Sequence, residues 1–213
     1  MSSSFDQHRY QVRFDWGLAG LARLAPADLV VVVDVLGAGT AASDALEAGA
    51  SFSRAELDER FPDAGAVVAV AVDAGAGVLL GSLRTARAIA EAVVAAQRTR
   101  GDRTSVSLIA VGEQAPEGGI RFAVEDELGA GAIIDALAAL GIDHTSPEAA
   151  AACAAFQGLR PAVRHLLTAA GSGQRLLADG AREQVLAAAT LDAASAAPRL
   201  VDGTFSAAVI SGE

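Results

Sequence analysis

Asp34 closes a run of valines, VVVD at 31–34, and a carboxylate at the end of an apolar strand is costly to bury unless it is paired, hydrogen-bonded or bound to a cation. In open α/β sheets the C-terminal strand ends face the ligand crevice, so Asp34 stands where a binding group is useful. A second acidic group, Glu125-Asp126, follows the apolar run Val106 to Val111 after a loop that also carries Glu113 and Arg121. If these strand ends are neighbours, several carboxylates and one guanidinium converge. That set suits a hard cation such as Mg²⁺ together with a phosphorylated ligand. Two acids in a first helical turn are also explained by complementing the helix dipole, and both readings stand at this point.

Ser172-Gly173 opens a helix, where free backbone N–H groups and a hydroxyl can hold an anion, or where the serine is simply an N-cap. Thr40 carries the same two meanings at the first helix after the valine run. Gly37, Gly39 and Ala42 complete a G-x-G-x-x-A turn, the fingerprint of a dinucleotide fold. That fold requires an acid at the end of the second strand, about 20 residues onward, and the count lands in the polar segment SRAELDER. A carboxylate at 34 would also repel pyrophosphate, so a nucleotide-dependent oxidoreductase is kept only as a minor alternative. His8, His144 and His165 are scattered without ligand spacing, and Cys153 in EAAAACAAF reads as a small buried helix residue.

The elements that must position these groups alternate. Gln11 to Trp16 reads as a short strand and Leu18 to Leu24 as a helical turn. Leu29 to Leu36 is a strand covered on both faces, and Thr40 to Ala48 is a helix stopped by Gly49. After a short helix and loop in Ser53 to Gly65 come the apolar runs Ala66 to Val72 and Val78 to Leu80. Ser82 caps a long helix from about Leu83 to Gln97, Val106 to Val111 is the next strand, and Glu125 or Asp126 starts a helix ending near Leu140-Gly141. Helices then begin at Ser146-Pro147-Glu148, at Gly171-Ser172-Gly173 and near Arg182, and a final strand lies around Leu200 to Ile210. The pattern predicts an α/β protein, three layers α/β/α about a central, mostly parallel or mixed sheet, with residues 1–213 as one domain.

The chain of 213 residues carries a net charge of −10, and all 16 of its basic residues are arginine. With no basic cluster and no run of about 20 apolar residues, neither nucleic acid nor a membrane is expected as partner, and a cytoplasmic location is expected.

Several segments, in order, resemble the ComB-like 2-phosphosulfolactate phosphatases. They are RFDWG at 13–17, VVVDVL at 31–36, VLLGSLRTARAIAEAV at 78–93, VGEQAPEGGIRFAVEDELGAGA at 111–132, SPEA at 146–149, SGQRL at 172–176, and Asp192 with Pro198. The resemblance implies Mg²⁺-dependent hydrolysis of a phosphate ester on a small 2-hydroxy acid, typified by 2-phospho-3-sulfolactate on a coenzyme M route. By matching position it makes Asp34 and Glu125 catalytic, and Asp34, Glu125 and Asp126 metal ligands. Thr40, Arg121, Ser172 and Gly173 become the phosphate-binding set. A homodimer is a possible arrangement. The chain departs from the family pattern at Gly37-Ala38-Gly39, at VAVDAGAG (70–77) and at Glu183-Gln184-Val185, so a non-catalytic binding member of the same family is the alternative.

Overall fold

β-Branched runs form the middle of the protein. A computed structural model describes residues 3–208. Its first half comprises β1 (Val12–Trp16), α1 (Gly17–Arg23), β2 (Leu29–Val33), α2 (Ala38–Glu47), β3 (Phe52–Ser53), α3 (Arg54–Arg60), α4 (Pro62–Asp73), β4 (Gly77–Gly81) and α5 (Ala86–Arg100). The second comprises β5 (Val106–Ala110), β6 (Glu113–Gln114), β7 (Ile120–Arg121), α6 (Val124–Ala139), α7 (Pro147–Leu159), α8 (Val163–Ala169), α9 (Gly171–Ala178), α10 (Arg182–Ala188), β8 (Pro198–Val201) and β9 (Thr204–Ala207).

Among the described residues the main sheet has seven strands in the order β1-β5-β2-β4-β8-β9-β3. The first four are parallel, and the β8–β9 hairpin and β3 add an antiparallel flank, so the sheet is mixed. All five residues of β2 are buried, as a central parallel strand requires. Their period of two divides them. Leu29, Val31 and Val33 join a core with Ile89 and Val93 of α5 and Leu128 and Ile133 of α6. Val30 and Val32 join Ala42 of α2, Leu57 of α3 and Val67 and Val68 of α4 on the opposite face. Each fully buried valine or leucine contributes about 1.5–3 kcal/mol. The three-layer α/β/α arrangement follows from these two cores.

Three segments are defined more closely by the structure than by the sequence. The apolar run Ala66 to Val72 lies inside α4, where Pro62 at the first helical position and Asp63 in the first turn start a helix that the valines continue. The final strand is a hairpin, because Asp202 (φ 48°) and Gly203 (φ 78°) turn the chain between β8 and β9. Ile210 lies outside the described residues. The helix expected from Leu83 begins instead as a 3₁₀ turn at Leu83–Thr85 and becomes α5 at Ala86.

Candidate active site at the strand ends

Asp34 is the first residue after β2, and its Oδ2 accepts a hydrogen bond from the N–H of Ala38, where α2 begins, at 2.8 Å. The glycine turn makes this contact feasible. A Cβ on Gly37 would stand 2.4 Å from Asp34 Oδ2, and one on Gly39 only 2.0 Å from the carbonyl oxygen of Gly81 in β4. Both glycines are therefore explained by close packing, and Asp34 takes an amide that a pyrophosphate would need in a dinucleotide fold.

Asp126, in the first turn of α6, is buried and fully engaged. Its Oδ1 accepts from Val35 N–H at 2.8 Å and its Oδ2 from Gly112 N–H at 3.0 Å. One carboxylate thus ties together the ends of the neighbouring strands β2 and β5. Gly112 sits at φ +68°, a conformation that L side chains rarely adopt, and this turns the chain after β5 toward the cleft. Glu125, the adjacent buried acid, accepts a hydrogen bond from Ser172 Oγ at the start of α9. Glu113 on β6 pairs with Arg175 of α9 at 2.8 Å, and Gln114 Nε2 donates to Asp63 Oδ1 of α4 at 3.1 Å.

These groups surround a cleft of about 450 Å³. Five carboxylates line it (Asp34, Asp63, Glu113, Glu125 and Asp126) against two guanidinium groups, Arg60 and Arg175. Four helices, α2, α4, α6 and α9, begin at its wall, and their positive ends face the same space. Burial pushes the Asp34 carboxyl up; the Ala38 N–H works against this, but nearby Glu125, Asp63 and Glu113 add to it, and the pKa reaches about 6. Burial first, and then the charge of Asp34, hold Asp126 well above the ordinary carboxylate range.

Of the residues singled out in the sequence, Asp34, Glu113, Glu125, Asp126 and Ser172 share the cleft. Arg121 lines an adjoining lobe of about 180 Å³ with Gly171, Ser172 and Glu125. Thr40 is not brought there: its hydroxyl donates to Val35 O at 2.6 Å and it is buried. Gly173 is a packing position, where a Cβ would stand 1.8 Å from Leu167 O. Two departures from the family pattern also lie elsewhere. Asp73 and Gly75 precede β4, at the end of the sheet opposite the cleft, and Glu183 and Gln184 are exposed on α10. Sequence reading missed Arg60, Asp63 and Arg175. Only the first-turn position of Asp63 carried a signal.

Among the described residues no three His, Cys, Asp or Glu side chains are arranged to enclose a metal ion. The donor set nevertheless fits Mg²⁺, which is habitually held by one or two carboxylates with water and substrate oxygens completing the shell. Asp34 and Glu125 each commit one oxygen to a hydrogen bond, whereas Asp126 commits both.

A protein-family model described as 2-phosphosulpholactate phosphatase matches residues 63–203, about two thirds of the chain. The chain belongs to the 2-phosphosulpholactate phosphatase family. No curated protein matches it. The family segment contains Asp63, Glu113, Glu125, Asp126, Ser172 and Arg175, and it begins after Asp34 and Arg60. A phosphatase family and a cleft ringed by helix N-termini agree, since such termini are anion sites. No helix among the described residues is long and apolar enough to cross a membrane.

Proposed function

We propose that this protein is a Mg²⁺-dependent phosphatase, acting in the cytoplasm on the phosphate ester of a small 2-hydroxy acid of the 2-phosphosulfolactate type. The observation that carries the reading is the charge of the cleft: five carboxylates and two guanidinium groups, one already paired, at the convergence of four helix N-termini. Such a surface repels a bare phosphate dianion and accepts one that arrives with a divalent cation.

Asp34 and Glu125 are the residues that would hold the ion. The chemistry it supplies when bound is neutralisation of charge on the phosphoryl oxygens. Everything else falls to the chain. Asp34, which lines the cleft and commits one oxygen to the Ala38 N–H, is placed to orient an attacking water. The Ser172 hydroxyl fixes the Glu125 carboxylate. Asp126 is a positioning residue, holding the two strand ends from which Asp34 and Glu113 project. Arg121 and the first N–H groups of α9 offer an anion contact from the side lobe.

The test is release of inorganic phosphate from a panel of 2-phospho-hydroxy acids, with Mg²⁺ and with EDTA. Turnover that requires Mg²⁺ and falls about 10³-fold or more in Asp34→Asn is the expected result. The absence of phosphate release from every member of the panel with Mg²⁺ overturns the reading.

A further inference from the structure

Arg175 is paired with Glu113, and the other cation of the cleft has no role in the scheme above. Arg60 lies in the last turn of α3 and lines the cleft beside Phe61 and Asp63. Its guanidinium carbon stands 5.1 Å from the centre of the Phe61 ring and 5.7 Å from that of Phe52. Cation–π attraction to two rings gives a long side chain a fixed place at the rim. Among the described residues it forms no ion pair, whereas Arg175 is bonded to Glu113.

The backbone beneath Arg60 is equally fixed. Ser53 and Glu56 form a reciprocal capping box at the start of α3, and Phe61 both ends α3 and begins α4, so no linker separates Arg60 from the wall carrying Asp63. Glu56, one turn earlier on α3, feels the charge of Arg60, but its carboxylate is engaged by Ser53 and makes no ion pair with it. A guanidinium held in this way with no carboxylate bonded to it is preorganised to bind an oxyanion, which its planar fork can grip with two hydrogen bonds.

We propose that Arg60 is a specificity-determining residue that binds the non-reacting oxyanion of the substrate, the second acidic group carried beside the phosphate ester. The proposal rests on the phosphatase reading of the cleft. A second anion in the main lobe is repelled by the carboxylates around it, and Arg60 is the unpaired cation there; Arg121 faces the adjoining lobe. Arg60 thereby separates phosphorylated acids from neutral phosphate esters of the same shape.

Two probes differ only in this respect: 2-phospholactate and isopropyl phosphate, in which a methyl replaces the carboxylate. With Mg²⁺ present, Arg60→Gln is expected to raise KM for 2-phospholactate about ten- to hundredfold while kcat moves less than about threefold. The parameters for isopropyl phosphate are expected to move less than about threefold, and Arg60→Lys, which keeps a charge over the rings but loses the fork, falls between. Equal losses on both esters, or no loss on either, overturn the proposal. If neither ester is hydrolysed by the wild type, the wider panel of 2-phospho-hydroxy acids decides the phosphatase reading separately. Calorimetric titration of the same two compounds then decides on Arg60: loss of the preference for 2-phospholactate in Arg60→Gln supports it, and an unchanged preference, or no binding to the wild type, overturns it. Should Arg60→Gln unfold, Arg60→Lys carries the same comparison.

Discussion

Asp34 and Asp126 show how differently two carboxylates in one cleft can be used. Asp126 has both oxygens bonded to main-chain N–H groups, so it is an architectural acid. Asp34 has one such bond and opens into the cleft. Its folded pKa of about 6 lies above its ordinary value of 3.8, so folding disfavours the charged form. The resulting cost is fully present above pH 6 and disappears as the pH falls below about 4, with a size on the order of 3 kcal/mol. Metal-free wild type should therefore gain stability relative to Asp34→Asn as the pH is lowered from 7.5 to 4.5. Urea unfolding in EDTA across that range measures the difference, and a difference that does not change with pH would contradict the assignment. The difference cancels the raised Glu127, which titrates in both proteins, and it includes the part of the Asp126 shift that the Asp34 charge causes.

At the scale of elements, the site exists because helices start where strands stop, and glycines set how closely they approach. Adding a methyl group at Gly39 places a carbon 2.0 Å from Gly81 O, backbone against backbone, so α2 must move away from β4. Gly39→Ala is expected to cost about 2–4 kcal/mol in chemical unfolding, well above the roughly 1 kcal/mol of an ordinary surface change. A cost below about 0.5 kcal/mol would show that α2 shifts freely. Most of these elements were legible in the residues. The valine run of β2, the Ser146-Pro147-Glu148 start of α7 and the acids of α6 each carry a local signal that the fold obeys. Ala66 to Val72 stayed unassigned because a short alanine-valine run has no period that separates strand from helix, and Pro62-Asp63 ahead of it is the signal that starts the helix. Asp34, Glu125 and Asp126 were found from their places at element ends. Arg60 was not, because its meaning comes from Phe52 and Phe61 packing beneath it, which is tertiary information. Thr40 had the residue type of a phosphate ligand, but its hydroxyl turns back to its own chain.

For the molecule as a whole, a net charge of −10 combined with an acidic cleft sets electrostatic repulsion against folding and against substrate at once. A divalent cation in the cleft relieves both. At a concentration about 100 times its dissociation constant, Mg²⁺ should stabilise the wild type by about 2.7 kcal/mol, and Asp34→Asn by much less. Thermal unfolding at pH 7.5 with Mg²⁺ and with the same ionic strength of NaCl separates specific binding from screening. Equal shifts in both salts would argue against a bound ion.

The cleft is also a seam between two lengths of chain. Asp34 and Arg60 come from before residue 63, and Glu113, Glu125, Asp126, Ser172 and Arg175 come from the family segment after it. The bond that closes the seam from the far side runs from Asp126 to the main-chain N–H of Val35, a donor that every residue except proline supplies. Side chains before residue 63 can therefore change without breaking that closure. A substitution at Arg60 therefore leaves this closure intact, because the stretch before residue 63 contributes to it only a main-chain donor.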